Sequence, residues 1–367
     1  MRIFDSKPDI ARMLATGDVE NLARIIENGS PYFDHDENTR VEAVGALGSL
    51  ADQRAIDPLI GALHDDDERV RLSAVAALNK HHAFYPLVNA LHVRDSGVRT
   101  AAAEVLGELA KPLAVLPLTK ALDDEDARVR TASVEALVKL GESSTDPLIH
   151  TLGVTNNKAR RAAAEALGQL GDPRAVLPLI AALKDQDWRV SFAAACALKQ
   201  FNDPRSLEPF IGALGGGETD VRRVAAEALG QLGNPRAVEP LIRALYAENS
   251  DVRRVAAEAL GQLGNPGAVL PLVEALSDEF KNVREIAAWA LGQLGNPQAV
   301  EPLIKCLEDP YDDVREAAAW ALGRLGDLRA WNPLTKALKD DSQRVEKAAV
   351  QALETLASKS KHTITIA

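Results

Sequence analysis

Asp220–Pro235 reads DVRRVAAEALGQLGNP, and the same letters return at Asp251–Pro266. Near copies begin at Asn282 and Asp313. Between copies runs a second apolar stretch carrying a Pro-Leu step (Pro-Phe at Pro209). Its prolines are Pro58, Pro86, Pro117, Pro147, Pro178, Pro209, Pro240, Pro271, Pro302 and Pro333. Their spacings are 28, 31, 30 and then six of 31. Self-similarity at a period of about 20 to 50 residues marks a stacked repeat array.

The unit Asn234–Gly264 resolves into two helices. Asn234-Pro235 opens the first, where a missing N–H costs little. Val238, Leu241, Ile242 and Leu245 then recur at helical spacing. Asn249-Ser250-Asp251 interrupts the pattern with capping oxygens. A second stripe follows on Val252, Ala256, Leu260 and Leu263, and Gly264 ends it. The spacing predicts an all-α protein, an α-solenoid of about eleven antiparallel helix pairs with 31-residue repeats.

The second helix carries a Val-Arg anchor, so the two rows are called here the Val-Arg and Pro-Leu helices. The anchor occurs eleven times, from Thr39-Arg40 to Val345-Glu346. Residues 1–17 are expected to form an N-terminal capping helix, 18–357 a single array, and 358–367 a loose tail without helical period. Asp18–Asn28 is the expected first helix of the first pair. Two joints are short: Asn79–Tyr85 by three residues and Gly141–Asp146 by one. Changes of twist are expected there, without a domain boundary.

Composition narrows the function. Apolar residues make up 46% of the chain and aromatics only 4%, so Ala and Leu must supply the core. Lys plus Arg number 42 and Asp plus Glu 53, a net charge of −11 that disfavours nucleic acid as a partner. No apolar run is long enough for a membrane span, and the N-terminus lacks a secretory apolar core. Cys196 and Cys306 lie more than three repeats apart, roughly 30 Å at helix-packing distances, too far for a disulfide. Both read as packing thiols in a cytoplasmic protein.

An arginine follows the anchor position in nine of the eleven repeats, and acidic residues crowd the turn before it. A ladder of Arg–Asp bonds from each turn to the next repeat accounts for both. An anion-binding stripe or calcium sites would be the functional alternatives, but no EF-hand spacing is present.

Val221–Leu245, VRRVAAEALGQLGNPRAVEPLIRAL, resembles the HEAT-like repeats named after phycobilisome lyases. The likeness covers about Val19 to Ala357 and is strongest from Ala159 to Gly326. It implies a right-handed superhelix with the alanine-rich Val-Arg helices on the inner, concave layer. It also implies protein binding, with one branch attaching or removing bilins on phycobiliproteins.

Residues two before and two, six and ten after the anchor share the face opposite the packed stripe. Three of the four tryptophans fall there: Trp188, Trp289 and Trp320. Phe192 follows Trp188 by one turn. Trp and Arg dominate interface hot spots. The expected partner-binding residues are Trp188, Phe192, Arg223, Glu227, Arg254, Glu258, Glu285, Trp289, Glu316 and Trp320. Alternatively, the indoles stack on neighbouring repeats and bridge the layer. Trp331 takes the Val place on a Pro-Leu helix and is expected in the core.

Catalytic sets are missing from the sequence. No His is followed by Glu, as the HEAT-repeat hydroxylases that hold two irons require. His81, His82 and His92 diverge and have no Cys nearby, so no metal is expected. No phosphate-binding glycine pattern occurs, and the glycines read as helix stops. No basic groove suits a HEAT-like DNA glycosylase. The expected function is a non-catalytic scaffold or adaptor with no cofactor, which takes a protein or peptide on its concave groove and binds neither nucleic acid nor membrane. The alternative is a bilin lyase subunit or a phycobilisome-handling factor, with Trp188, Phe192, Arg223 and Arg254 around a tetrapyrrole. A designed array is a third reading, against which the irregular first five pairs argue.

Overall fold

The computed structural model describes residues 8–27 and 36–366, with side chains as far as Ser358. Among the described residues there are 23 α-helices, nine 3-10 turns and no strand. A helix at Ile10–Thr16 precedes eleven helix pairs, the first being Val19–Ile26 with Glu37–Leu47. The expected α-solenoid and its repeat count therefore hold. Asn28 lies outside the described residues. The chain divides into two compact units, Met1–Pro178 and Leu179–Ala367.

The 31-residue unit contains one element the sequence concealed. Asn234-Pro235 opens a 3-10 turn, Pro235–Ala237, and the α-helix Val238–Ala244 follows it. Asn234 accepts the Arg236 N–H, and proline needs no partner there. The short joints now have a cause. At Asn79–Tyr85 the three missing residues are this turn, so Glu68–Lys80 runs almost directly into Phe84–Ala90. At Gly141–Ser144 the turn starts on the glycine itself and the capping residue is dropped.

Each Val-Arg helix buries its expected stripe: Val252, Ala256 and Leu260 are fully enclosed. Asn249 caps the start of that helix, and Gly264 closes it at φ 67°. His82, Ala110 and Asn202 hold the same left-handed position elsewhere without being glycine. The other recurring glycine is not a helix stop, as the sequence reading had it. A Cβ built on Gly261 would stand 2.9 Å from both Cα and Cβ of Ala290 on the next Val-Arg helix. The same contact recurs at Gly48, Gly107, Gly230, Gly292 and Gly323. It lets neighbouring Val-Arg helices touch along their backbones.

The arginine ladder is present. Arg40, Arg71, Arg99, Arg253, Arg284 and Arg315 reach Asp65, Asp95, Asp124, Asp278, Asp309 and Asp340 at 2.6–2.9 Å. Most of these pairs are two-pronged, and each joins one repeat to the next. Arg253 also donates from Nη1 to the carbonyls of Ala247 and Glu248, tying down its own turn. Asp278 accepts the Phe280 N–H as well. Not every arginine has such a partner. Arg130 holds only the carbonyls of its own turn, because Thr155 stands where the next aspartate would be. Arg222 faces Ala247 in that place and donates instead to the Leu214 carbonyl.

Two other expectations changed. Trp331 is 40% exposed, not core. The equivalent Val238, Val269 and Val300 are buried, on helices that touch the 3-10 turn of the following repeat, and the described residues supply no such turn beside Trp331. The last helix, Gln343–Ile366, runs through the stretch set apart as a loose tail. Neither cysteine forms a disulfide, as expected, and burial pushes the Cys306 thiol up to about 11, in keeping with a packing group.

Three measurements check this account. Gly261→Ala gains about 1 kcal/mol of helix propensity, but its methyl meets backbone, and overpacking of that kind costs about 1–3 kcal/mol. A net loss in denaturant titration is expected, and a gain would mean that the helices part freely. Arg253→Ala strands Asp278 in a nearly buried site and should cost about 3 kcal/mol. A change below about 0.5 kcal/mol, the level of a surface pair, would reduce the ladder to decoration. The third test is pH. Burial raises the Asp278 carboxyl, but Arg253 and the Phe280 N–H outweigh it and hold it below the usual range. Arg315 holds Asp340 low in the same way. A depressed carboxylate contributes stability that is complete above its unfolded pKa of ~3.9 and is lost as pH falls through the folded value. From this source the melting temperature should be flat from pH 8 to 5 and drop below pH ~4. Asp278→Asn should lower the plateau and make the acid limb shallower.

Candidate functional site

The exposed face of the Val-Arg helices carries three groups of the expected residues, all in the second unit. The best organised lies on Lys281–Leu294 and Asp312–Leu325. Trp289 and Trp320 stack with ring centroids 6.4 Å apart and planes 10° from parallel. Each indole sits above a contact glycine. Trp289 Cζ3 would be 3.1 Å from a Cβ on Gly261, and Trp320 Cζ3 2.7 Å from one on Gly292. The missing side chains thus make the shelf on which the rings rest, and both rings remain half-buried.

Beside the rings opens a cavity of about 570 Å³, lined by Glu285, Asp313, Glu316, Arg344, Lys347 and Gln351 as well as the two indoles. Its rim is charged. Arg344 binds Asp312, Asp313 and Glu316 at 2.8, 2.7 and 3.4 Å, and Lys281 binds Asp313 at 2.8 Å. Burial raises the Glu285 carboxyl above its ordinary value, and the Asp313 carboxylate adds to the effect. The arrangement offers an apolar floor with acids on the wall, a form suited to a side chain that is greasy along its length and basic at its end.

The middle group is satisfied within its own helices. Arg223 binds Glu227 at 2.8 Å, and Lys199 reaches the same carboxylate at 2.7 Å. Arg254 pairs with Glu258 at 3.5 Å. These residues form the ordinary i,i+4 pattern of a solvated helix face.

Trp188 and Phe192 lie one turn apart on Trp188–Phe201. Trp188, 38% exposed, is covered on one face by the Arg189 guanidinium at 4.8 Å. It lines a different cavity, of about 740 Å³, at the turn edge of the array, and Phe192 does not. Sequence reasoning also missed an aromatic row along that edge. Arg253 lies over Phe280 and Arg284 over Tyr311, at 5.5 and 5.6 Å. The signal was available, since both rings stand two residues after a ladder aspartate.

Among the described residues no cluster of three His, Cys, Asp or Glu could hold a metal, and no helix is long and apolar enough to cross a membrane. His81 Nε2 lies 2.9 Å from the Leu47 carbonyl of the preceding repeat.

Comparison with known proteins agrees with this architecture. Importin beta aligns with 92% of this chain and 55% of its own, at 18% identity and a TM-score of 0.59. Yeast importin-beta, Kap95p, aligns with 96% of this chain and 60% of its own, at 12% identity and 0.59. The karyopherin Kap121p, bound to the extreme C-terminus of the protein phosphatase Cdc14p, aligns with 95% of this chain and 47% of its own, at 13% and 0.59. This chain thus spans about half to three-fifths of those karyopherins. At such identities the likeness is one of fold. No curated protein matches the chain. The family pattern described as HEAT repeats matches residues 32–82, 85–164, 145–219, 209–279 and 269–354. With nearly every repeat matched, the chain belongs to the HEAT-repeat family.

Proposed function

We propose that this chain is a non-catalytic scaffold that docks a protein or peptide on the exposed face of its Val-Arg helices. The stacked Trp289–Trp320 pair is the anchor. One observation carries the reading: two indoles rest on glycine shelves, half in solvent, beside a cavity where Arg344 holds Asp313 and Glu316, and Glu285 faces in with Lys347. Rigid aromatics of this kind give large contact area at low entropic cost and are frequent binding hot spots. The partner segment presents an aliphatic or aromatic side chain to the rings and a basic group to Glu285. That Kap121p, of the same architecture, is bound to a chain terminus agrees with a peptide ligand.

The branch named after phycobilisome lyases remains a finer reading of the same repeats. For a bilin, Arg223 and Arg254 would have to turn to the propionates. Both are directed to glutamates of their own helices, and Phe192 does not line the cavity beside Trp188. Protein docking is therefore preferred. Titration with phycocyanobilin should leave its visible spectrum unchanged.

The test is the Trp289→Ala/Trp320→Ala double variant. Its far-ultraviolet circular dichroism should match the parent, and unfolding should cost about 1–3 kcal/mol, less than for fully buried rings. Capture of partners from native cell extract should be lost. Retained capture would end the proposal, and a collapse of helicity would assign the indoles to the repeat interface instead.

A further inference from the structure

One rung of the arginine ladder is vacant, and the vacancy is a cavity. Ser191 stands where Arg284 stands three repeats later, directly after the buried Val190. The turn before it is built as in the complete rungs. Asp185 accepts the Asp187 N–H at 2.9 Å, as Asp278 accepts that of Phe280 at 2.9 Å. In the complete rung, Arg284 Nη1 donates to the carbonyls of Asp278 and Glu279, six and five residues earlier. Nε and Nη2 hold Asp309, 25 residues later. Counting equally from Ser191 gives the carbonyls of Asp185 and Gln186 on one side and Gly216 on the other.

The space between is open. A cavity of about 740 Å³ is lined by Asp185, Gln186, Trp188, Ser191, Gly216 and Glu218, among others. Ser191 does not fill it, because its hydroxyl turns back to donate to the Trp188 carbonyl at 3.0 Å. Side chains added at Gly212, Gly216 or Gly217 would meet nothing within 4 Å. The lining carboxyls are those of Asp185, Glu208 and Glu218, against the single cation Lys184. Glu208 is engaged by Arg236 at 2.7 Å.

We propose that this vacant rung is a binding site for an arginine side chain of a partner peptide. The guanidinium would enter beside Trp188, take the place that Arg284 fills in its own repeat, and donate to the Asp185 and Gln186 carbonyls. A planar fork fits this frame, and a lysine ammonium, with one point of charge, does not. The site is separate from the Trp289–Trp320 anchor and does not rest on it.

Calorimetric titration of the full chain with acetyl-arginine-amide and acetyl-lysine-amide tests the assignment. Saturable binding of the arginine compound is expected, with the lysine compound at least tenfold weaker. Free L-arginine should also be weaker, since its own carboxylate meets an acidic rim. Ser191→Arg refills the rung from within and should abolish binding. Gly216→Asp restores the missing carboxylate where its side chain has room, and should tighten binding about tenfold. The Trp289→Ala/Trp320→Ala variant should bind like the parent. Equal binding of lysine, unchanged binding in Ser191→Arg, or no binding in either the parent or Gly216→Asp would overturn the proposal. Free arginine binding as tightly as the amide would overturn the peptide as its source.

Discussion

The constraint on which this structure depends is the contact between the glycine of one Val-Arg helix and the alanine of the next. At Gly261 the clearance to Ala290 is smaller than any methyl can occupy. Helices packed this tightly present little more than backbone and alanine to each other, and that fits a chain with only 4% aromatic residues. It also explains why arginine is needed. Such a thin layer leaves the turns at its edge without hydrophobic cover. The guanidinium supplies that edge with fixed polar bonds, to its own turn and to the next repeat. Dispersion holds the centre of each joint and charge-assisted hydrogen bonds hold its rim.

The same glycine sets up the candidate docking face. An indole six residues after the anchor can lie flat only if the residue beneath has no side chain. Trp289 uses Gly261 and Trp320 uses Gly292. The reading that these rings stack and bridge the layer and the reading that they receive a partner are therefore not exclusive. The shelf fixes each ring, and fixing it with one edge in solvent is what makes a rigid anchor. A residue that serves packing beneath thus serves recognition above.

How much of this was legible in the sequence follows from what each residue type can announce. The period, the eleven pairs and the rungs from Arg253 to Asp278 were readable, because repeated spacing carries long-range information that a single segment lacks. The double role of glycine was not. Gly261 and Gly264 lie three residues apart, and only the partner backbone distinguishes contact from cap. Trp331 misled because periodicity assigns a position to the core without saying what covers it. Ser191 was visible as an exception to the anchor, but its meaning depended on Gly216, 25 residues away, which is an exception of its own.

Those exceptions gather in one place. Ser191 and Gly216 remove one rung, and Arg222 facing Ala247 weakens the next. From Arg253 to Asp340 three consecutive rungs are complete. In a repeat array, stability is a sum of unit terms and nearest-neighbour terms, so the unit Leu179–Ala367 is bonded unevenly along its length. Its last rungs are the stiff ones, and they carry the stacked indoles. Its first joints lack the arginine rung, and there a cavity has opened beside the exposed Trp188. The joint absence of arginine at 191 and aspartate at 216 removes a bond that the repeats from Arg253 onward retain, and what the vacancy leaves is the outline of a guanidinium.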